Sequence, residues 1–375
     1  MFKTVGEACN LACDYCYYSH VAGNPSGVRA IPQTILEPFL ADYMDHVAGG
    51  EASFVWQGGE PTLAGLPYFQ SVVALEARHA RPHTRIGNSV QTNGILLNDA
   101  WAQFFRQYRF LVGVSLDGPE AIHDARRIDA HHGGSFRRAM RGIDHLRNNG
   151  VEYNILTVIN KYNVSKAREL IQWYRSEGFT WVQFIPCMEF SAQSTGDVGT
   201  YEITPDQYGL FLCEAFDVWR EDPSFSIRMF DNMIMTLGGS SGDMCILQEL
   251  CPPFIVVEKD GSAYPCDFLI GPEWVLGNVA TTSVFDMIAS DRYRAFRRLK
   301  PNIASECRTC DWLSLCHGGC PRTRLGGVGM DTVDFFCESY KMLYSRAVPL
   351  IKGYSQRPSQ GIPLQLYDSQ GAPRH

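Results

Sequence analysis

Three cysteines lie close together near the start of the chain. Cys9, Cys13 and Cys16 follow the spacing C-x3-C-x2-C. Thiols this close in sequence cannot all pair with one another as disulfides, but they can hold one iron–sulfur cluster if the backbone loops around it. A four-iron cluster normally takes four cysteines, so three would leave one iron open to a substrate or cofactor. A zinc knuckle without its partner, or three unrelated buried thiols, are the alternatives.

The spacing also carries a family likeness. With an aromatic residue, Tyr15, before the last cysteine, it resembles the signature of the radical S-adenosylmethionine (radical SAM) enzymes. The resemblance implies an oxidoreductase that uses S-adenosyl-L-methionine as its cofactor. It also implies that the open iron chelates the amino and carboxylate groups of the cofactor's methionine part.

Length, charge and cysteine content exclude several classes of protein. A chain of 375 residues can bury a large core and is long enough for two domains. Its net charge of −7 argues against nucleic acid as the main partner, and no run of about eighteen apolar residues predicts a membrane span. We expect no secretory signal, so the 13 cysteines favour metal ligation in a reducing compartment. The sequence therefore predicts a cytoplasmic protein.

The first half of the chain alternates apolar, β-branched runs with amphipathic helical stretches. In one of these stretches Phe136, Met140, Ile143 and Leu146 share one helical face, which is typical of core packing. Six strand–helix repeats predict an α/β fold, a parallel sheet curled into a partial (β/α)6 TIM-like barrel. The predicted strands are 2–6, 53–57, 87–92, 111–116, 153–159 and 181–185. The predicted helices lie near 32–47, 66–80, 98–107, 135–148 and 164–177.

Unusual residues follow the first four predicted strands, at the edge where functional residues gather in such folds. The first strand runs into the cysteine triplet, and the second ends in Gln57-Gly-Gly-Glu-Pro-Thr62. The third ends in Gln91-Thr-Asn-Gly94 and the fourth in Ser115-Leu-Asp-Gly-Pro119. Each alone is typical of a tight turn. Together they indicate a ligand site, because glycine lets backbone groups approach a ligand closely.

The Gly-Gly-Glu-Pro stretch is similar to the radical SAM motif that contacts the cofactor's amino group. The resemblance implies that Gly59 supplies a backbone acceptor and that Tyr15 lies in the loop around the cluster. It also implies that Met188, just past the sixth strand, occupies a position whose backbone meets the adenine.

Two further positions match residues that hold the cofactor's carboxylate and ribose in this family. They are Ser115 and Arg127. An arginine suits a carboxylate because its guanidinium fork can bond both oxygens. Arg126 stands beside Arg127, so either could do this, and a solvated charge at a helix start is the alternative for Arg127.

The second half begins with a predicted helical bridge and then becomes rich in cysteine. In the bridge Phe211, Ala215 and Trp219 recur at helical spacing, and a Gly-Gly-Ser-Ser-Gly run at 238–242 ends it. The cysteine spacing x2, x5 and x3 from Cys307 to Cys320 is too regular for scattered core thiols. Zinc bound by two sets of four is the alternative to iron. The eight cysteines are Cys245, Cys251, Cys266, Cys307, Cys310, Cys316, Cys320 and Cys337.

This cysteine layout resembles a SPASM domain, which similar enzymes fill with two auxiliary four-iron clusters. The resemblance therefore implies three [4Fe-4S] clusters in all. Four cysteines per auxiliary cluster make closed sites, suited to passing electrons. Packing is expected for the remaining Cys187 and Cys213. Carried over position by position, the resemblance assigns Cys245, Cys251, Cys266 and Cys320 to the first auxiliary cluster, and Cys307, Cys310, Cys316 and Cys337 to the second.

Over residues 1–350 the chain resembles the anaerobic sulfatase-maturating enzymes. The likeness rests on the stretches Gln57–Gly65, Tyr264–Phe268 and Cys316–Cys320. Those enzymes oxidise one cysteine or serine of a sulfatase to Cα-formylglycine (3-oxoalanine), a post-translational modification. The resemblance implies that activity by hydrogen abstraction from Cβ. It implies two partners: an unfolded sulfatase segment with the pattern Cys/Ser-x-Pro/Ala-x-Arg, and an electron donor such as flavodoxin or ferredoxin.

One carboxylate and three other polar residues are candidates for the substrate side. Asp267, directly after Cys266, matches the family's proposed base for the S–H or O–H proton. Without the resemblance, a turn-capping aspartate would be the preferred interpretation. Tyr18, Gln57 and Gln91 are expected to line the peptide site.

The predicted organisation is a radical SAM partial barrel at 1–200, a helical bridge at 201–240 and a SPASM domain at 241–350. A Pro-, Gly- and Gln-rich tail at 351–375 is expected to be mobile. A radical SAM enzyme that crosslinks or epimerises a small ribosomal peptide is the rival interpretation. A non-catalytic zinc or electron-transfer protein is a third, and it would not need the open three-cysteine site.

Overall fold

The computed structural model describes residues 1–16, 28–187, 203–324 and 332–355, with side chains up to residue 352. The strands are β1 (Phe2–Lys3), β2 (Glu51–Gln57), β3 (Arg85–Thr92), β4 (Leu111–Ser115), β5 (Tyr153–Ile159), β6 (Trp181–Pro186), β7 (Ser226–Ile227), β8 (Val256–Val257), β9 (Ser262–Tyr264) and β10 (Gly277–Asn278). The helices are α1 (Gln33–Val47), α2 (Leu66–His79), α3 (Asp99–Gln107), α4 (Glu120–His123), α5 (Phe136–Asn148), α6 (Ala167–Ser176), α7 (Pro205–Glu221), α8 (Arg228–Leu237), α9 (Val284–Ala289), α10 (Asp291–Leu299), α11 (Ser305–Arg308), α12 (Leu313–Cys316) and α13 (Cys337–Ser355).

All ten strands of the described residues form one sheet, in the order β10-β9-β8-β1-β2-β3-β4-β5-β6-β7. Strands β1 to β7 are parallel to their neighbours. Strand β8 also lies parallel to β1, whereas β8, β9 and β10 pair antiparallel. The sheet is open, as expected of a partial barrel, and the α/β prediction is confirmed. The short strands β7 to β10 were not predicted, because two or three residues leave too little periodicity to detect.

The first strand is shorter than predicted. Pairing ends at Lys3, and the chain then turns, with the Gly6 amide donating to the Lys3 carbonyl at 2.9 Å. Gly6 has φ +63°, a conformation that glycine adopts without strain. This turn sends the chain out of the sheet and into the cysteine loop.

Aromatic packing anchors β1 despite its two residues. The Phe2 ring stacks on Trp56 with centroids 4.7 Å apart, and Phe39 of α1 meets Phe2 edge-on at 5.3 Å. Trp56 is completely buried, and truncating such a side chain to alanine costs roughly 3–5 kcal/mol. The start of the cysteine loop is therefore tied to the core of the sheet.

The helices form where the apolar spacing and the caps predict them. Asn98 caps α3 by accepting from the Trp101 amide at 3.2 Å. In α5, Ile143 and Leu146 are fully buried, and Phe136 and Met140 pack partly buried against the same core. The predicted core stripe therefore faces the sheet.

The predicted bridge contains two helices, α7 and α8, separated by β7. Helix α7 packs along the last helix, α13, where the Arg346 guanidinium lies 2.9 Å from the Asp217 carboxylate. Tyr208 also meets Phe336 with ring centroids 5.1 Å apart. Helix α13 continues through Ser355, five residues into the segment predicted as a tail. The rest of that segment lies outside the described residues, and the domain boundaries stay predictions.

Candidate active site

The Gly-Gly-Glu turn after β2 supports the cysteine loop. The Gly59 amide donates to the Gly6 carbonyl and the Glu60 amide to the Ala8 carbonyl, both at 2.8 Å. A Cβ atom on Gly59 would lie 2.0 Å from the Ala8 carbonyl oxygen, so only glycine fits there. The close approach predicted for this turn is thus an approach to the loop's own backbone.

Glu60 ties the ends of β2 and β3 together. Its carboxylate is completely buried and accepts hydrogen bonds from the Asn93 amide and the Thr92 hydroxyl, both at 2.7 Å. It also accepts from the Thr62 amide at 3.0 Å. Burial raises the pKa of Glu60 above its ordinary value, and these hydrogen bonds oppose that shift. Two of the predicted strand-end motifs therefore share one buried acid.

Cys9, Cys13 and Cys16 meet on this rim, and no disulfide joins any cysteines of the described residues. Burial raises the pKa of Cys9 and of Cys13 to about 12. Buried thiols with so high a pKa need a bound cation to become thiolates. The Cys9 sulfur already accepts from the Leu11 amide at 3.4 Å and from the Asn93 side-chain amide at 3.9 Å.

The two neighbouring arginines have different partners. Arg126 pairs with Asp14 of the cysteine loop, and its guanidinium carbon lies 3.5 Å from the centroid of the Tyr162 ring. Arg127 instead donates from Nε to the buried Asp117 carboxylate at 3.0 Å. Arg126 therefore fastens the loop through Asp14, and Arg127 is the arginine joined to the Asp117 carboxylate after β4.

Asp117 connects Arg127 with the loop tyrosine. Its carboxylate accepts from the Tyr15 hydroxyl as well as from Arg127, and Arg127 lies 5.4 Å from the Tyr15 ring centroid. Burial opposes the charge of Arg127, but Asp117, Tyr15 and Cys13 together outweigh burial and hold the pKa of the guanidinium above its usual value. The positive charge in turn lowers the pKa of Cys13 and Cys16 against the effect of burial. Tyr15 and Arg127 thus lie together beside the three thiols.

A buried histidine orients this pair from behind. His123 Nδ1 accepts from the Asp117 amide at 3.3 Å, so the proton lies on Nε2, which donates to the Ser135 hydroxyl at 2.9 Å. Ser135 then donates to the Arg127 carbonyl at 2.6 Å. Burial lowers the pKa of His123 to about 4, which keeps the ring neutral. Sequence reasoning missed both His123 and Ser135, which lie beyond the Ser115–Pro119 motif.

Ser115 and Gln91, predicted for different ligands, contact each other. They end the neighbouring strands β4 and β3, and the Gln91 amide donates to the Ser115 hydroxyl at 3.0 Å. A Cβ atom on Gly113 would lie 2.2 Å from the Gln91 side-chain oxygen, so glycine makes room for this contact. The predicted cofactor and peptide positions are therefore adjacent on the rim.

Asp267 reaches the same rim from the cysteine-rich half. Its carboxylate pairs with the Lys3 ammonium of β1, and the side chains are only 11% and 1% exposed. The Gln57 side-chain amide lies 3.5 Å from the other carboxylate oxygen, at the long limit of a hydrogen bond. Sequence reasoning missed Lys3, and the signal was a charged residue inside a predicted buried strand.

The first predicted auxiliary set of cysteines lies around one buried lysine, although Cys245 itself is exposed. Burial raises the pKa of Cys266 and of Cys320 to about 12, and Cys245 adds to the shift of both. Lys300, itself 1% exposed, donates from Nζ to the Gly319 carbonyl at 2.7 Å and to the Ile246 carbonyl at 3.0 Å. Both carbonyls belong to neighbours of predicted ligands.

The second predicted set lines a single pocket. Its four members come from α11, α12, the start of α13 and the turn at residue 310. Aromatic rings of Trp312, Tyr340 and Tyr344 complete the wall. The structure therefore brings together the four cysteines that the resemblance assigned to the second cluster, while their role as ligands stays a prediction. The cysteines in this pocket are Cys307, Cys310, Cys316 and Cys337.

The cysteine sets fit iron–sulfur clusters by the chemistry of their donors. Within the described ranges, no three His, Cys, Asp or Glu side chains lie close enough to hold a single metal ion. In a four-iron cluster each thiolate binds a different iron, so its ligands stand farther apart than around one ion. Two features support an iron–sulfur cluster at these sites. Some of the thiols are buried and need a bound cation to ionise, and four cysteines line one pocket.

Some predicted site residues cannot be compared with the geometry. Tyr18 and Met188 lie outside the described residues. Of the two remaining thiols, Cys187 is buried and Cys213 is half-buried. Packing stays the prediction for both.

Comparison with known proteins places this arrangement in a family. The profile of the Radical SAM superfamily matches residues 4–174, and that of SPASM, an iron–sulfur cluster-binding domain, matches residues 252–311. A cysteine-type anaerobic sulfatase-maturating enzyme of Clostridium perfringens is 33% identical, over 93% of this chain and 96% of the relative. The chain belongs to the anaerobic sulfatase-maturating enzyme family. A serine-type member from Bacteroides thetaiotaomicron is 32% identical, over 93% and 89% of the two chains.

Solved structures of family members agree with the fold. Native anSMEcpe with bound AdoMet and Kp18Cys peptide superposes with a TM-score of 0.88 at 32% identity, covering 95% of this chain and 98% of that one. The radical SAM and SPASM predictions and the oxidoreductase class are confirmed. No helix in the described part of the chain has the length and apolarity to cross a bilayer. The individual site residues and the number of clusters stay predictions.

Proposed function

We propose that this family member oxidises a cysteine or serine of a sulfatase polypeptide to Cα-formylglycine. The observation that carries the proposal is the position of Asp267, which comes from the cysteine-rich half yet pairs with Lys3 at the rim of the three-cysteine loop. Curated relatives of both the cysteine type and the serine type, similar over most of their length, support it. The likeness to SuiB, at 15–17% identity, shows the fold alone, so nothing specific favours the rival peptide modifier.

The cofactor would lie on the rim between the loop and the strand ends. Cys9, Cys13 and Cys16 would hold the first [4Fe-4S] cluster. When bound, S-adenosyl-L-methionine and the reduced cluster supply a carbon radical that removes a hydrogen atom from the substrate Cβ. Among the described residues, those proposed to hold the cofactor are Tyr15, Gly59, Ser115 and Arg127.

Each of these residues has a support suited to that task. Asp117 occupies Nε of Arg127 and so fixes the direction in which the rest of the guanidinium points. Gln91 and Ser115 orient each other. Met188 would contact the adenine, and Tyr18 and Gln91 would line the peptide beside it.

Asp267 would act as the base. The oxidation removes one proton from the substrate sulfur or oxygen, and a carboxylate on the same rim is a suitable acceptor. Lys3 and Gln57 hold two edges of this carboxylate, which limits its motion. The base and the radical source would therefore face the peptide from the two halves of the chain.

The eight remaining ligands would hold two closed [4Fe-4S] clusters, giving three in all. They would carry away the electron that the substrate releases, and an external donor such as flavodoxin or ferredoxin would reduce the first cluster. We place the radical SAM barrel at 1–200, the bridge at 201–240 and the SPASM domain at 241–350. The protein is proposed to act in the cytoplasm on an unfolded sulfatase segment.

Anaerobic turnover with short peptides tests this function. The reconstituted enzyme is incubated with S-adenosyl-L-methionine, a reductant and peptides carrying Cys-x-Pro-x-Arg or Ser-x-Pro/Ala-x-Arg. Mass spectrometry should find an aldehyde in place of the thiol, or a serine peptide lighter by two hydrogens. A peptide with alanine at that position is the control. Release of 5′-deoxyadenosine with neither peptide oxidised would refute the assigned substrate.

A further inference from the structure

Lys300 is a buried cation at the centre of the first auxiliary site, and the mechanism above does not use it. It follows the last residue of α10 and is 1% exposed. Its ammonium donates to the carbonyls of Ile246 and Gly319, at 3.0 and 2.7 Å. Ile246 directly follows Cys245, and Gly319 directly precedes Cys320. The Lys300 charge therefore lies against the backbone that carries two proposed ligands.

Other cations reinforce the positive character of this site. Arg297 donates to the Cys251 carbonyl, and Arg322, two residues after Cys320, lies near both Cys320 and Cys266. In a poorly hydrated interior such charges act strongly, because little water screens them.

The second auxiliary site has different surroundings. Glu306 directly precedes Cys307 and Glu338 directly follows Cys337, so each of these two cysteines has a carboxylate beside it in the chain. The cation in the pocket lining is Lys341, which is well exposed and paired with Glu338 at 2.8 Å. Solvent and this partner screen its charge. Buried Arg324 lies near Cys320 and Cys251 of the first set and also near Cys307 of the second, so the buried cation that distinguishes the first set is Lys300.

We propose that Lys300 raises the reduction potential of the iron–sulfur cluster held by Cys245, Cys251, Cys266 and Cys320, so that this cluster accepts the substrate electron before its neighbour does. The proposal rests on the proposed function for the presence of both clusters. Charge and hydrogen bonding near the sulfurs are among the factors that set cluster potentials. The couple takes up one electron, and no bond is made or broken.

The test uses protein in which Cys9, Cys13 and Cys16 are replaced by alanine, so that only the auxiliary clusters remain. Lys300→Met, Lys300→Arg and Arg294→Met are compared in this background. Arg294 lies on α10, the helix that Lys300 directly follows, but it is exposed and pairs with Asp291, so it is the matched control. Iron and sulfide are quantified first, and the reduced clusters are then followed by electron paramagnetic resonance against applied potential.

Lys300→Met should lower the reduction potential of one of the two clusters. At a fixed applied potential, the ratio of reduced to oxidised cluster should fall at least about tenfold, which corresponds to 59 mV for one electron. The other couple should move less. Lys300→Arg should restore the wild-type value, and Arg294→Met should change neither couple. The couple that moves should persist when Cys337→Ser removes a ligand of the second site.

Two results would overturn the proposal. The first is that Lys300→Met keeps its full iron content but leaves both reduction potentials unchanged. The second is that Lys300→Arg shifts a reduction potential as much as Lys300→Met does. If Lys300→Met loses iron, Lys300→Gln, which is uncharged but keeps an N–H donor, takes its place under the same criteria.

Failure of the proposed cluster assignment would give a different result, because the protein that lacks Cys9, Cys13 and Cys16 would then bind zinc or no metal.

Discussion

The three-cysteine loop and the two four-cysteine sites use the same ligand type in different settings. The loop lies on the edge of a parallel sheet, where two buried carboxylates join the ends of four strands and hold the loop in place. Glu60 joins β2 to β3, and Asp117 links β4 to Tyr15 and accepts the Val158 amide of β5 at 3.0 Å. The sheet can therefore shape this site before any metal binds.

The four-cysteine sites have far less regular structure around them. Helices α11 and α12 have four residues each, and β8 to β10 have two or three. Two buried cations fasten the connecting segments by binding backbone carbonyls. Arg324, for example, donates to the Leu299 and Lys300 carbonyls at 2.7 Å. The comparison indicates that clusters complete the fold of the second half but only occupy a prepared site in the first.

The largest expected effect is the loss of cofactor cleavage when a cysteine of the loop is replaced, but not when a cysteine of a four-cysteine site is replaced. Cys13→Ala should abolish 5′-deoxyadenosine formation, because the open iron would be lost. Cys316→Ala should retain it, because the loop is intact. Both should hold about eight irons per chain instead of about twelve. Cofactor cleavage by Cys13→Ala, measured by liquid chromatography, would overturn the assignment of the open site.

The next largest effect is expected for Asp267, which lies where the two halves of the chain meet. Asp267→Asn should still cleave the cofactor but form aldehyde roughly a hundredfold more slowly, because asparagine cannot accept the proton. Asp260→Asn is the control, since Asp260 caps the exposed turn before β9, where its carboxylate accepts from the Ser262 amide at 2.9 Å. Both products are quantified in one reaction. Unchanged aldehyde formation in Asp267→Asn would remove it from the mechanism.

Iron removal should loosen the second half more than the first. Anaerobic chelation is followed by limited proteolysis, with mass spectrometry to map the cuts. Cleavage between residues 241 and 350 should become at least several-fold faster, because cluster binding contributes directly to folding there. Cuts within β2 to β6 should change little. Equal acceleration in both halves would contradict the comparison.

The smallest effect concerns the sheet alone. Glu76 accepts from the Asn88 side chain at 2.8 Å, and Asn88 accepts from Trp56 Nε1 at 2.7 Å. Burial raises the pKa of Glu76 from 4.5 to about 8. Between these values the folded protein holds a proton that the unfolded chain releases, so the free energy of unfolding falls as pH rises through this window.

Glu76→Gln should remove this dependence, because an amide does not ionise. It should stabilise the protein by on the order of a few kcal/mol near pH 8 and by little near pH 5. Denaturant titrations at both pH values measure the difference. A variant that is less stable than the wild type at the higher pH would show that Glu76 is ionised in the folded state.

The sequence predicted the first six strands and the rim because each has a local signal, whereas the crossed pairing of the eight later cysteines came only from the family resemblance. Alternating patterns end in glycine-rich motifs at Gln57, Gln91 and Ser115, and the structure brings these ends together. Contacts across long stretches of chain had no such signal. Lys300 lies 54 residues from Ile246, and Gln57 lies 210 residues from Asp267. Such pairs follow from how the two halves pack, which local periodicity does not encode.

Strand β1 has a mechanical consequence for the whole molecule. Phe2 pairs with Trp56 of β2 on one side and with Val257 of β8 on the other. A shift of the cysteine-rich half at β8 would therefore act directly on the stem of the loop that carries Cys9, Cys13 and Cys16, because β1 and β8 are hydrogen-bonded neighbours. Binding of a protein substrate to the cysteine-rich half would therefore strain the backbone of the three-cysteine loop.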